Sequence, residues 1–187
     1  MTARSVFRLF PQLSAITPLL LTDTTRPELR RVLGAQAGSV SRPSAYLSDD
    51  LGLPQGDYPC LQSFGPIFSR TSVDTHRALL ETAGELVPLM IDGAEAPFFL
   101  YVVTATSDCL DVRRSSKVDS MGRVSKLVLR PDAVPWHLPA FRIAQAPLCV
   151  FWTPRFVAPF LDGARLVEAR IIWSEDPTVV VMPKPMR

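Results

Sequence analysis

Pro97-Phe98-Phe99-Leu100-Tyr101-Val102-Val103-Thr104-Ala105-Thr106 is the stretch that decides the fold. Phe98 to Val103 is an unbroken apolar run rich in aromatic and β-branched types, which predicts a strand. The run does not alternate with polar residues, so the strand is buried on both faces and sits in the middle of a sheet. Upstream, Glu85–Ile91 reads as a strand in which Pro88 marks an edge or a bulge. Before it, Thr71-Ser72-Val73-Asp74 resembles a capping box. Val73, His76, Leu80 and Ala83 then recur at helical spacing until Gly84 closes the helix. Pro66–Ser69 reads as a brief strand.

Further out, Ser5–Phe10 and Ile16–Thr22 read as short strands separated by Pro11. Pro27 suits the first turn of a short helix whose apolar side is Leu29, Val32 and Leu33 and which stops at Gly34. Residues 34–63 are loop-like. After the central strand comes a polar hairpin-like stretch, Arg113–Arg123. Strands follow at Val124–Arg130, Phe141–Ala144, Leu148–Trp152, Ala169–Trp173 and Thr178–Met182. Thr153-Pro154 can cap and open a helix that Pro159 limits to about a turn and a half. Strands outnumber helices without alternating with them. This predicts an α+β fold, a single domain with a mixed or mainly antiparallel sheet and few short helices. Residues 1–43, the N-terminal strands and short helix, join this domain or flank it; residues 44–187 form its core.

The 187 residues fit a prior of one domain per roughly 150 residues. Hydrophobic residues at 47% and charged residues at 20% exclude a disordered chain. A net charge of +2 calls for neither nucleic acid nor a membrane surface. The distribution is uneven, however. Residues 1–48 carry six Arg against Asp23 and Glu28, residues 49–111 carry ten acids against Arg70 and Arg77, and residues 112–187 carry twelve bases against six acids. Either the charges interleave on one surface, or the acidic segment meets a basic partner. On the second reading Asp49, Asp50 and Asp57, in the loop-like stretch, are the candidate partner-binding residues. Three widely spaced cysteines, Cys60, Cys109 and Cys149, are neither a disulfide framework nor a zinc site. Ile16–Leu21, broken by Pro18, is too short to span a membrane, and Arg8 and Pro11 spoil a signal peptide. A cytoplasmic protein with reduced thiols is expected.

Standard catalytic signatures (GxSxG, GxGxxG, GxxxxGK[ST], HExxH) are missing from the sequence. His76, on an apolar helical stripe, reads as a partly buried, hydrogen-bonded core histidine. His137 has no metal-ligand neighbour. In Asp108-Cys109-Leu110-Asp111 two carboxylates oppose thiolate formation, so Cys109 reads as structural and the aspartates as turn residues. Arg113-Arg114-Ser115-Ser116-Lys117 lacks interleaved aromatics and reads as a solvated loop. No catalytic, cofactor or metal residue is assigned.

Several pieces between residues 66 and 173 nevertheless fall in a familiar order. They are Pro66-Ile67-Phe68-Ser69, Leu79-Leu80, Glu85-Leu86-Val87-Pro88-Leu89, Tyr101-Val102-Val103 and Cys109-Leu110-Asp111 with Ser115. Leu127-Val128-Leu129, Ala140-Phe141-Arg142-Ile143 and Val150-Phe151-Trp152-Thr153-Pro154-Arg155-Phe156 complete the series. In this order the chain resembles the bacterial polymorphic-toxin immunity family numbered eleven. The resemblance covers a little over half the chain. Residues 1–65 match weakly, and Pro159 falls where relatives continue the helix. The resemblance implies a cytoplasmic antitoxin, not an enzyme. It would bind a cognate secreted toxin domain, such as a nuclease delivered by type VI secretion, and block it by stoichiometric occlusion without touching nucleic acid or membrane. It carries over no inhibitory residue and no cofactor. The alternatives are a small hydrolase-like enzyme that reverses a toxin's modification with His76 and nearby acids, and a structural subunit.

Overall fold

A computed structural model describes residues 4–35, 38–48, 52–61, 64–119 and 124–181. Among them the chain forms β1 (Ser5–Pro11), β2 (Leu19–Leu21), α1 (Thr25–Ala35), β3 (Ser44–Leu47), β4 (Ile67–Ser69), α2 (Arg70–Leu80) and β5 (Gly84–Ile91). Next come β6 (Ala94–Val103), β7 (Thr106–Ser107), β8 (Ala140–Ile143), β9 (Ala146–Trp152), α3 (Pro154–Leu161) and β10 (Val167–Ser174). Two five-stranded sheets result, ordered β10-β1-β9-β8-β7 and β2-β3-β5-β6-β4. Each contains one parallel pair, β7 with β8 and β3 with β5, among antiparallel ones. The α+β class and the mixed sheets are as the sequence predicts. The N-terminal strands are built into the sheets, since β1 pairs β10 along its whole length and β2 pairs β3.

β6 is the central strand that its composition requires. It pairs β5 and β4, and Phe98 to Val103 are all buried. Two apolar cores form. The larger joins both sheets and all three helices around Phe68, Tyr101, Trp152, Phe156 and Phe160. The smaller lies on the other face of the first sheet, where Phe141, Cys149, Phe151 and Trp173 are covered by Cys109, Leu110, Leu129 and Val134. Alternation along β9 feeds both cores, with Val150 and Trp152 on one side and Cys149 and Phe151 on the other.

Several local expectations are corrected. α2 is capped by Ser69, whose Oγ accepts the Ser72 N–H, and not by Thr71. β4 therefore runs into α2 without a loop. Gly84 does not cap that helix. It opens β5, where an added Cβ would lie 2.4 Å from the Val102 carbonyl oxygen. Val124–Arg130 makes only isolated bridges, Val118 with Val124 and Leu110 with Leu129. Its backbone is held by the Asp111 N–H on the Val128 carbonyl at 2.9 Å and the Arg130 N–H on the Cys109 carbonyl at 2.8 Å, and by Ser115, whose Oγ accepts the Val128 N–H and donates to the Val128 carbonyl, each at 3.0 Å. Thr178–Val181 forms a turn and irregular chain, and Met182 lies outside the described residues. The Thr153 hydroxyl is bonded to the Leu138 carbonyl at 2.5 Å and caps nothing. α3 accommodates Pro159 over eight residues, longer than expected, because its inward rings are locked in the larger core.

Phe68 sits edge-on to five rings at centroid distances of 5.3–6.1 Å. Phe68→Ala should therefore cost about 3–5 kcal/mol. Chemical denaturation of the variant checks this, and a loss under about 1 kcal/mol would show that the site collapses around the smaller side chain.

Candidate functional site

β1 pairs β10 over seven residues but is paired with β9 at a single position, Phe7 with Trp152. The cause is local. β1 shifts register against β10 between Val6 and Phe7, leaving Ile172 of β10 without an opposite residue. Such a bulge bends and twists the strands that carry it. Past Phe7 the sheet opens between β1 and β9, and a cleft of about 570 Å³ fills the gap. Arg8, Leu9 and Phe10 line it from β1, and Val150 and Trp152 from β9. Tyr58 and Cys60 close one side, Glu168 and Arg170 of β10 another. Leu13 and Leu61, both more than two-fifths exposed, stand at its rim.

The charged groups in the cleft are not equivalent. Arg170 pairs with Glu168 and stacks its guanidinium 4.8 Å from the Phe10 ring centre. Arg8 donates through Nη2 to Cys149 Sγ at 3.1 Å, a weak acceptor. Its Nε is buried without a hydrogen-bond partner among the described residues. Tyr58 is buried, which pushes its phenol well above the ordinary range, while the nearby Arg8 charge pulls it back. The hydroxyl therefore stays protonated and can donate.

Asp57 is placed differently from the expectation that it forms a partner surface. It is only 4% exposed. Its carboxylate accepts the Ser69 hydroxyl at 2.6 Å and the Arg165 backbone N–H at 2.7 Å, and the Arg165 side chain lies at 3.5 Å. Gly56, at φ +69°, turns the chain to bring it there, and a Cβ at Gly56 would press on the Arg165 carbonyl oxygen at 3.3 Å. Asp57 thus ties the 52–58 loop to the start of α2 and to the turn before β10. A loop-like composition hid this role. Asp49 and Asp50 lie outside the described residues. Exposed carboxylates of the acidic segment are Asp74 and Glu81 on or just after α2, Glu85, Asp92 and Glu95 on the β5–β6 hairpin, and Asp108, which pairs with Arg130. Glu81 and Glu95 pair with Arg77 and Arg70.

His76 is half-buried, as its stripe predicts, but its contacts are aromatic. The ring meets Phe156 and Phe160 edge-on at 5.6 and 5.8 Å. Burial lowers its pKa, so it is neutral near pH 7. Cys109 is fully buried, and burial pushes its thiol up. Asp111 closes the turn after it, accepting the Arg113 and Arg114 N–H groups. Among the described residues, no group of three His, Cys, Asp or Glu is arranged to hold a metal ion. No helix among them is long and apolar enough to cross a membrane. Sequence reasoning missed Arg142. It is 2% exposed and donates to the Leu33 carbonyl at 2.8 Å and to the Pro147 carbonyl at 3.3 Å. The signal was there: an arginine inside Ala140-Phe141-Arg142-Ile143, a strand apolar on both sides. Compared with known proteins, the chain matches no family model and no curated protein.

Burial alone would raise the Asp57 carboxyl, but the Ser69 and Arg165 hydrogen bonds and the Arg165 charge together hold it below the ordinary value. Its folded pKa lies below the unfolded value of about 3.9. The stabilisation is therefore complete above that unfolded value, and it is lost as pH falls toward the folded one. Urea titrations at pH 7 and pH 3 should show Asp57→Asn costing about 1–3 kcal/mol at the higher pH and less at the lower. An equal cost at both would remove the carboxylate from the account.

Proposed function

We propose that this chain is a cytoplasmic immunity protein that neutralises a cognate toxin domain by binding it one to one. The observation that carries the reading is the meeting of the family-like pieces. They are scattered over residues 66–156 in the sequence. In the fold Phe68 touches Tyr101, Trp152 and Phe156, and the Tyr101 hydroxyl donates to the Leu80 carbonyl at 2.7 Å. The Cys109–Ser115 and Leu127–Leu129 pieces bond each other directly, the Asp111 N–H to the Val128 carbonyl at 2.9 Å. Short matches that occur in a fixed order and also pack together behave as one frame. That supports a resemblance of folds, and with it the activity the resemblance implies.

A frame of this kind leaves its exposed residues free to meet a partner. The carboxylates Asp74, Glu85 and Asp92 have no arginine partner among the described residues and give the α2 and β5–β6 side an acidic character suited to a basic cleft. An inhibitor complex of this class buries roughly 1,200–2,000 Å².

Titrating the purified chain against the toxin domain encoded beside it should give inhibition that plateaus at one equivalent. His76→Gln should plateau at the same point. Full protection at far below one equivalent, abolished in His76→Gln, would establish the hydrolase alternative instead. Neutralising Asp74, Glu85 and Asp92 together should slow toxin association and flatten its dependence on salt, as read by stopped-flow mixing. An unchanged rate across ionic strengths would move the contact surface elsewhere.

A further inference from the structure

We propose that the cleft between β1 and β9 is a binding site for a small amphipathic monoanion, an organic carboxylate carried on an apolar body. Three features support the assignment. At about 570 Å³ the cleft falls within the range of small-molecule pockets, roughly 300–1,000 Å³. Its lining joins accessible apolar side chains, Phe10, Leu13 and Leu61, set over the buried Val150 and Trp152, to a cationic group, Arg8. Finally, Arg8 is under-used. Of five guanidinium donors, one meets a thiol sulfur, and Nε has no partner among the described residues.

The charge count selects the ligand class. Arg170 is already engaged by Glu168, so one positive charge, Arg8, remains uncompensated by the lining. A guanidinium forks onto a carboxylate through two parallel hydrogen bonds. One carboxylate would neutralise Arg8 through its Nη groups, the Nε being enclosed. A dianionic phosphate would leave a negative charge against a half-apolar wall, next to Glu168. Leu13 and Leu61, exposed at the rim, offer the apolar body a surface, and the Phe10–Arg170 stack forms a flat side wall. The bulge that holds the sheet open lies at the inner end of the cleft, so the cavity follows from the strand register and needs no movement of the core. This inference stands independently of the immunity reading, since it uses none of the toxin-facing residues proposed above.

Calorimetric titration of the full chain tests it with three probes: 3-phenylpropionate, its neutral amide 3-phenylpropanamide, and inorganic phosphate. The expected result is saturable one-site binding of 3-phenylpropionate with a dissociation constant below about 1 mM, accompanied by a change in Trp152 emission. The amide and phosphate should each bind at least about tenfold more weakly. Arg8→Gln should lose about tenfold or more in affinity for the acid. Leu13→Asp alters an exposed rim residue and should weaken the acid through repulsion while leaving the thermal melt unchanged. If Arg8→Gln does not fold, Leu13→Asp decides: unchanged affinity overturns the proposal. So do an absence of saturable binding by the acid, equal binding of acid and amide, or phosphate binding as tightly as 3-phenylpropionate.

Discussion

The edge-on seating of Phe68 against four stacked rings is the contact on which the rest of the fold depends. Tyr101, Trp152, Phe156 and Phe160 form a stack with successive centroid separations of 5.9, 4.8 and 4.8 Å. Those rings come from β6, β9 and α3, and Phe68 from β4. One residue therefore holds a strand of each sheet and a helix in a fixed relation. Aromatic pairs of this geometry contribute beyond their buried area, about 0.5–1.5 kcal/mol each, because ring edges and faces carry opposite partial charge. The Tyr101 hydroxyl reaches out of the stack to the carbonyl of Leu80 and fixes the end of α2. His76 and Tyr58 add edge contacts at the periphery, which connects the cleft wall to the same cluster.

Two arginines on the first sheet show how differently one residue type can be used. Arg142 is enclosed by backbone. It supplies a cation at the last turn of α1, which has no basic residue of its own there, and bonds a carbonyl that the helix leaves without a partner. Burial lowers its pKa, but a guanidinium remains charged at any working pH. The cost of burying that charge is offset only by carbonyl acceptors, which makes Arg142 a tether between sheet and helix. Arg8 has no comparable set of acceptors. It faces a cavity instead of a helix end, and its best protein partner is a sulfur atom. The difference lies in what each guanidinium reaches: Arg142 meets the end of α1 and the Pro147 carbonyl in the irregular β8–β9 turn, whereas Arg8 lies where β1 and β9 are no longer paired.

Elements whose evidence is local were legible in the sequence. The apolar run Phe98–Val103 announces a central strand because burial on both faces leaves no room for polar residues. α2 announces itself through Val73, Leu80 and the half-buried His76. The bounds that failed are those where a side chain outcompetes a pattern. Ser69 caps α2 from within a strand, and Ser115 takes the Val128 N–H, so that the alternation of Leu127 and Leu129 yields only an isolated bridge. β3 was invisible, because its four residues owe their conformation to pairing with β2 and β5 and not to their own periodicity. The cleft could not have been read at all. It depends on one bulge between strands about 165 residues apart in sequence, and no local signal marks where two strands will separate.

Asp57 shows why charge along a chain is a poor map of charge on a surface. The acidic segment contributes its loop aspartate Asp57 to the interior, where three elements meet, and keeps exposed carboxylates at α2, on the β5–β6 hairpin and at Asp108. Substitutions at such positions typically change stability by less than about 0.5 kcal/mol, whereas any change to the rings or to Asp57 is costly. A protein built this way can alter what it meets without altering how it folds. On the immunity function proposed above, that separation between a costly interior and a surface that is cheap to change is what following a diverging toxin would require.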